Sequence, residues 1–358
     1  MVLPLIAGLV VGSGLRGERA AKVDLTFAFF GCNRIDAKDY DAAENPSSAN
    51  LPQLAQNLKD GAKLAPDYFF FGGDLVLGYA DDQGQVLNDQ MSAWVKAVAA
   101  MPKAKTTQYV VMPGNHESNR KAREMKLPNP VTDSVWAKLV KAHGLIPADA
   151  KGPTPASSPE DHLVGDQGAL NFSFDRGSVH FVVLNTDTRV TDMDAASGET
   201  KIAMIPTHWL DADLTKAEKN PRIKQVIVMG HRNLIDPATA KGDAPIDAAC
   251  VPGMTKALIS HKKVRAYVCA HVHAFDITAI NGSGVLQTCF GNGGSKLETG
   301  WKPAAGRTFG FGYFKAYANG SLGVVPYLRP EPKNYMSTAA ADVPAAKPQP
   351  ELVIPVRK

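Results

Sequence analysis

Cysteine is scarce in this chain, with Cys32, Cys250, Cys269 and Cys289 the only four in 358 residues. A chain of that length can bury a core without covalent staples, which excludes a small disulfide scaffold. An even count still permits bridges. The open pair is Cys269 and Cys289, near the ends of two strands expected to be neighbours. Charge of one sign is lacking too. A net charge of +4 with 21% charged residues leaves no electrostatic footprint for nucleic acid, and no basic stripe interleaved with aromatics occurs. The densest basic group is Arg120, Lys121, Arg123 and Lys126. It reads as a solvated helix face in preference to an electropositive rim that draws in an anionic substrate. A Gly-x-Ser-x-Gly nucleophile elbow is missing, which argues against a serine hydrolase. Solenoid-type repeats are missing as well. Long apolar runs do not occur. Residues 2–11 are apolar but fall short of the about 20 residues that a membrane-crossing helix needs. Gly12-Ser13-Gly14 and then Ala20-Ala21 follow, small residues that suit a signal-peptidase site. Residues 1–21 therefore read as a targeting segment of an exported chain, periplasmic or secreted, although a basic leader is absent. No transmembrane segment is expected.

What is present is a set of short apolar runs that stop at glycine and a polar group. Tyr68-Phe69-Phe70-Phe71-Gly72-Gly73-Asp74 is one, and Tyr109-Val110-Val111-Met112-Pro113-Gly114-Asn115-His116-Glu117 is another. Each reads as a buried strand. Residues 91–100 between them carry apolar residues at helical spacing, so the unit reads as strand, helix, strand, the crossover of a parallel sheet. Ligands in such sheets sit beyond the carboxyl ends of the strands, where Asp74, Asn115 and His116 fall. Residues 23–30 form a further strand ending at Gly31-Cys32-Asn33-Arg34, and residues 51–64 a helix. Residues 170–174 and 179–184 read as a hairpin that closes on Asn185-Thr186-Asp187. Pro206 opens a helix carrying Trp209, Leu210 and Leu214. Strands at 224–229 and 264–269 end at Gly230-His231 and at Ala270-His271-Val272-His273. Hairpins turn at residues 281–284 and at Asn319-Gly320. Residues 190–205 lack periodicity and read as a loop over the site. From Arg329 onward the chain is dense in proline and alanine, so residues 329–358 read as a disordered tail behind a domain at 22–328.

Five strand ends thus carry Cys32, Asp74, Asn115-His116, His231 and His271-x-His273. Carboxylate, amide oxygen, imidazole and thiolate are ligands for borderline metals such as zinc, iron or manganese. A single histidine after a strand is usually a hydrogen-bonded loop residue, and Asp74 alone reads as a helix cap. The order of the residues and their shared strand-to-loop context carry the signal.

Gly73-Asp74, Gly114-Asn115-His116-Glu117, Gly230-His231 and His271-Val272-His273 together resemble the calcineurin-like metallophosphoesterases. The resemblance spans roughly residues 23–327. It implies a four-layer αββα sandwich of two mixed sheets flanked by helices. It also implies hydrolysis of phosphoric esters, mono- or diester, by a metal-activated water, with a small phosphorylated substrate as partner. Two divalent or trivalent ions (iron, manganese or zinc) would share Asp74. Asn115, His231 and His271 look like ligands of one and His273 of the other, while His116 would stabilise the transition state and protonate the leaving oxygen.

The first motif departs from the family. Cys32 stands where the pattern has aspartate and Arg34 where it has histidine. Three arrangements fit. Cys32 ligates as a thiolate; or Asp36 reaches in; or the first site is weak or empty, with Arg34 supplying charge. Cys32 is equally readable as a small buried residue. Arg34, Asn33 and Asn115 are the expected substrate contacts, since a guanidinium grips phosphate oxygens. The altered motif also admits a family member that has lost turnover and binds a phosphorylated ligand or partner.

Overall fold

The computed structural model describes residues 21–79, 83–122, 125–128, 131–196, 198, 200–237, 245–298 and 307–357. The reading of residues 1–21 as a targeting segment falls almost wholly outside these. In chain order the elements are β1 (Val23–Phe30), α1 (Leu51–Leu64), β2 (Tyr68–Gly72), α2 (Gln85–Ala99), β3 (Gln108–Met112), α3 (Asn115–Ser118), β4 (Asn119–Ala122), β5 (Met125–Pro128) and α4 (Thr132–Ala142). Then come β6 (Phe172–Arg176), β7 (Val179–Leu184), α5 (Thr207–Lys219), β8 (Gln225–Gly230), α6 (Val251–Ser260), β9 (Val264–Cys269), β10 (Phe275–Ala279) and β11 (Leu286–Phe290). The last four are β12 (Thr308–Tyr317), β13 (Leu322–Pro330), β14 (Lys347–Pro348) and β15 (Leu352–Ile354).

Two mixed sheets form. The seven-stranded one runs β14-β13-β12-β1-β2-β3, with β15 also on β13, and the six-stranded one runs β10-β11-β9-β8-β7-β6. Alternation along β1 explains the layering. Phe27 and Phe29 point between the sheets, where Phe27 stacks on Phe314 at 4.5 Å and meets Phe181 of the other sheet edge-on at 5.3 Å. Ala28 and Phe30 point the other way, into a core shared with Leu54, Leu58, Met91, Trp94 and Trp136 of the helices. The second sheet repeats the scheme, with Val182, Leu184, Val226 and Val228 turned toward Leu210, Leu214, Met254 and Leu258 of α5 and α6. Helices therefore cover both outer faces, the sandwich implied by the resemblance.

Three expectations are corrected. The proline- and alanine-rich tail is laid along the first sheet, with Lys347 opposite Leu328 and Leu352 opposite Val324. Composition misled because a few anchors suffice: Tyr335 and Ile354 are buried in the cores, and short stretches of backbone pair with β13. The basic cluster does not lie on a helix. Arg120 and Lys121 lie on β4, antiparallel to β5, which carries Lys126, and Arg123 lies outside the described residues. That stretch has no apolar stripe with which a helix could dock. All four cysteines are free and buried. Cys269 and Cys289 are indeed opposite each other, but the Cys289 thiol turns to the carbonyls of Ala270, at 3.3 Å, and Val272, at 3.6 Å.

On the outer face of the second sheet, His180 is held between Asp175 Oδ1 at 2.6 Å and Asp213 Oδ2 at 2.9 Å. Burial works against its charge, but the two carboxylates outweigh it and raise the imidazole to about 9. A raised value means stability that is complete below about pH 6.5 and lost as pH climbs through about 9. His180→Gln should lower unfolding stability by about 2 kcal/mol at pH 6. The gap to wild type should close by pH 10, as read from denaturant midpoints across pH. A gap that stays constant would sink this account.

Candidate metal centre

The loops beyond β1, β2, β3, β8 and β9 are laced together by backbone. Cys32 N donates to Gly73 O at 2.9 Å, Asn33 N to Asp74 O at 2.9 Å, and Ala270 N to His231 O at 2.9 Å. Gly114 permits a close approach, because a Cβ there would sit 2.3 Å from Asp74 Oδ1. Glu117 clamps the arrangement. Its buried carboxylate accepts from the amides of Asp74 (3.0 Å), Leu75 (2.8 Å), Val76 (3.1 Å) and Gly114 (2.7 Å). Burial pushes that carboxyl up to about 7 despite these bonds. Cys32, Asp74 and His271 all have positive φ, 56°, 53° and 62°, so three strand ends carry strained non-glycine residues at one place.

Asp74 is the hub. Its Oδ1 is 3.2 Å from His231 Nε2, which is also 3.1 Å from Asn115 Oδ1 and 3.2 Å from His271 Nδ1. His231 Nδ1 is 2.7 Å from the Gly72 carbonyl. Donation there leaves Nε2 facing the cluster, the usual way a ligating imidazole is oriented. Donor atoms of Asp74, His231 and His271 lie within 4.8 Å of one another, and so do those of Cys32, Asp74 and His273. His273 Nδ1 is 2.7 Å from the Lys296 carbonyl, so its Nε2 is the atom presented. Two triads sharing one buried carboxylate fit a pair of borderline cations. Burial opposes the charge of Asp74, but His231, His116 and Arg34 outweigh it and hold the carboxyl well below the usual range. Burial, then Asp74, pushes the Cys32 thiol well above its ordinary value, so its ligation requires a cation to displace the proton.

The remaining expected residues divide. Arg34 Nε is 3.6 Å from Asp74 Oδ2 and Nη1 is 3.6 Å from Asp36 Oδ1, so the guanidinium stands at the centre and Asp36 belongs to neither triad. His116 Nε2 is 3.9 Å from Asp74 Oδ2, outside both triads, and its Nδ1 bonds the Leu77 carbonyl. Asn33 is fully buried, and its amide donates to Gly293 O at 3.1 Å and Asn50 O at 3.4 Å, so it braces loops.

Sequence reasoning missed two neighbours. Arg232 is buried and forked onto Asp187, with Nε–Oδ2 at 2.8 Å and Nη2–Oδ1 at 3.0 Å, and its Nη1 lies 3.3 Å from His271 Nε2. Asp187 Oδ1 also accepts from Asn119 Nδ2 at 2.8 Å and Ala203 N at 3.3 Å, which ties the loop at 190–205 to the centre. The polar end of β7 and the arginine after His231 were the available signals. The second neighbour is Tyr79, whose ring lies on His116 with centroids 3.8 Å apart.

The calcineurin-like phosphoesterase family model matches residues 26–275, more than half of the chain, and the chain belongs to that family. Membership places it with metal-dependent phosphoester hydrolases in general. Among solved structures it is similar to a dimetal phosphatase from Danio rerio (14% identity, TM-score 0.53, 94% of this chain and 100% of that one). It is also similar to PhoD (13%, 0.55, 94% and 71%) and to GAP50, the anchor in the inner membrane complex of Plasmodium (12%, 0.50, 94% and 90%). At these identities the likeness shows the fold alone. Among curated proteins, none matches the chain. Among the described residues no helix is long and apolar enough to cross a membrane.

Proposed function

We propose that this chain hydrolyses phosphoric esters of small molecules at the Asp74 centre. The observation that supports this most is the pair of donor triads sharing Asp74, with His116 and Arg34 standing beside the shared carboxylate. Asn115, His231 and His271 would hold one cation, Cys32 and His273 the other, and Asp74 both. When bound, such a pair neutralises phosphoryl oxygens and supplies a nucleophile at neutral pH. His116 presents Nε2 at the same edge, where it can stabilise charge on phosphorus and pass a proton to the leaving oxygen. The guanidinium of Arg34 offers donors and no acceptor, so it cannot ligate a cation and its charge is useful only toward an anion. It weakens cation binding at the Cys32 triad and grips a phosphate oxygen. The apolar stretch at 2–11 followed by Ala20-Ala21 supports an exported site of action.

The test is hydrolysis of 4-nitrophenyl phosphate and bis(4-nitrophenyl) phosphate with added manganese, zinc or iron, beside elemental analysis of the purified protein. Turnover that rises with metal content is expected. Bound metal without hydrolysis of either ester would overturn the proposal in favour of a phospholigand-binding role. In the same assay Arg34→Ala should raise KM roughly tenfold, the cost of one hydrogen bond to a charged group, with little loss of the metal at Asn115, His231 and His271. An unchanged KM would remove Arg34 from the substrate site.

A further inference from the structure

We infer that Tyr79 is a positioning residue serving two groups at once: its ring sets the imidazole of His116, and its hydroxyl sets the amide of Asn115. The catalytic half of this rests on the hydrolysis proposed above; the Asn115 half rests only on the cation site proposed with it.

Residues 77–79 wrap around His116. The Leu77 carbonyl accepts from His116 Nδ1, Tyr79 N donates to His116 O at 3.0 Å, and the phenol ring covers the imidazole at an interplanar angle of 41°. The wrap is anchored from outside. Leu77 N donates to Ser48 Oγ at 2.7 Å and Gly78 N to Gln90 Oε1, from α2, at 2.9 Å. Two consecutive residues are left-handed, Gly78 at φ 56° and Tyr79 at φ 51°. Glycine is required at the first, because a Cβ would lie 1.8 Å from His116 O. The second costs energy, since a bulky side chain disfavours positive φ by about 1 kcal/mol or more. Such strain persists only where surroundings over-determine it, and here it turns the ring onto His116.

The hydroxyl acts elsewhere. Asn115 Nδ2 donates to Tyr79 Oη, while Oδ1 of the same amide lies 3.1 Å from His231 Nε2. The two ends of a carboxamide differ in kind. The oxygen is a ligand, and the nitrogen offers only protons. Holding the nitrogen on the phenol keeps the oxygen toward the triad. Without the hydroxyl, half-turn rotation of the amide brings N–H to the cation position.

Two substitutions separate the roles in the full-length protein. Tyr79→Phe keeps the ring and removes the hydroxyl; Tyr79→Leu removes both. Titration of chelator-stripped protein with Mn2+ should show affinity falling roughly tenfold for both variants, in line with losses on removing a group that orients a ligand. At saturating Mn2+, Tyr79→Leu should have a kcat at least roughly tenfold below that of Tyr79→Phe, with equal KM, because only the former releases His116. Mn2+ affinity equal to wild type in Tyr79→Phe would overturn the hydroxyl's role. Equal kcat in the two variants would overturn the ring's role. The Mn2+ titration stands even if wild type hydrolyses neither ester, so failure of this inference and failure of the proposed function are told apart.

Discussion

Asp74→Asn is expected to empty both halves of the centre and to lower turnover by roughly three powers of ten or more. The substitution is nearly isosteric, so the loop keeps its shape while one negative charge goes. That charge is the only one common to the two triads, and it is 2% exposed, within 3.2 Å of His231 and 3.6 Å of Arg34. Asparagine leaves one neutral oxygen where the carboxylate has two charged ones, beside a guanidinium that already repels cations. Elemental analysis should find both metals reduced together. Loss of one with retention of the other would show that Asp74 does not bridge. The Glu117 clamp binds the Asp74 backbone and not its side chain, so the fold should survive and circular dichroism should be unchanged.

His116→Ala should give the opposite pairing of results: metal content intact, and kcat down by roughly two powers of ten or more. His116 lies outside both triads, its Nε2 is 3.9 Å from Asp74 Oδ2, and its Nδ1 is committed to the Leu77 carbonyl. On the function proposed above the residue is no cation ligand, and its role is to pass a proton to the leaving oxygen. The loss should be largest for esters with poorly acidic alcohols and smallest for 4-nitrophenolate, which leaves without protonation. Metal lost on this substitution would show His116 to be a ligand and the assignment to be wrong.

The arrangement was legible in the sequence because each component sits within four residues of a strand end, and a buried strand stopping at a small residue is visible in a single chain. Cys32, Asp74, Asn115, His231, His271 and His273 all obey that rule, and they converge. What was not legible lies one step further off. Tyr79 is five residues beyond Asp74 in a loop with no periodicity, and its value comes from a left-handed backbone that its letter does not announce. Arg232 and Asp187 pair across strands β7 and β8, a contact that needs the sheet order. Asn33 follows a related pattern: its motif position places it beside Asp74, but the turn at Cys32 sends its amide nitrogen toward Gly293.

The tail on β13 has a consequence for how molecules of this protein meet. β13 is long, nine residues, and with its outer side bare it would offer a row of amides and carbonyls to any passing strand. β14 and β15 cover it with two and three residues, interrupted by Pro348, Pro350 and Pro355. A strand so short and so rich in proline can pair inward but makes a poor template outward, since proline brings no N–H. The composition that reads as disorder is thus a terminus to sheet growth. Material trimmed of β14 and β15 should keep the Asp74 cluster and join edge to edge as concentration rises, as light scattering would read.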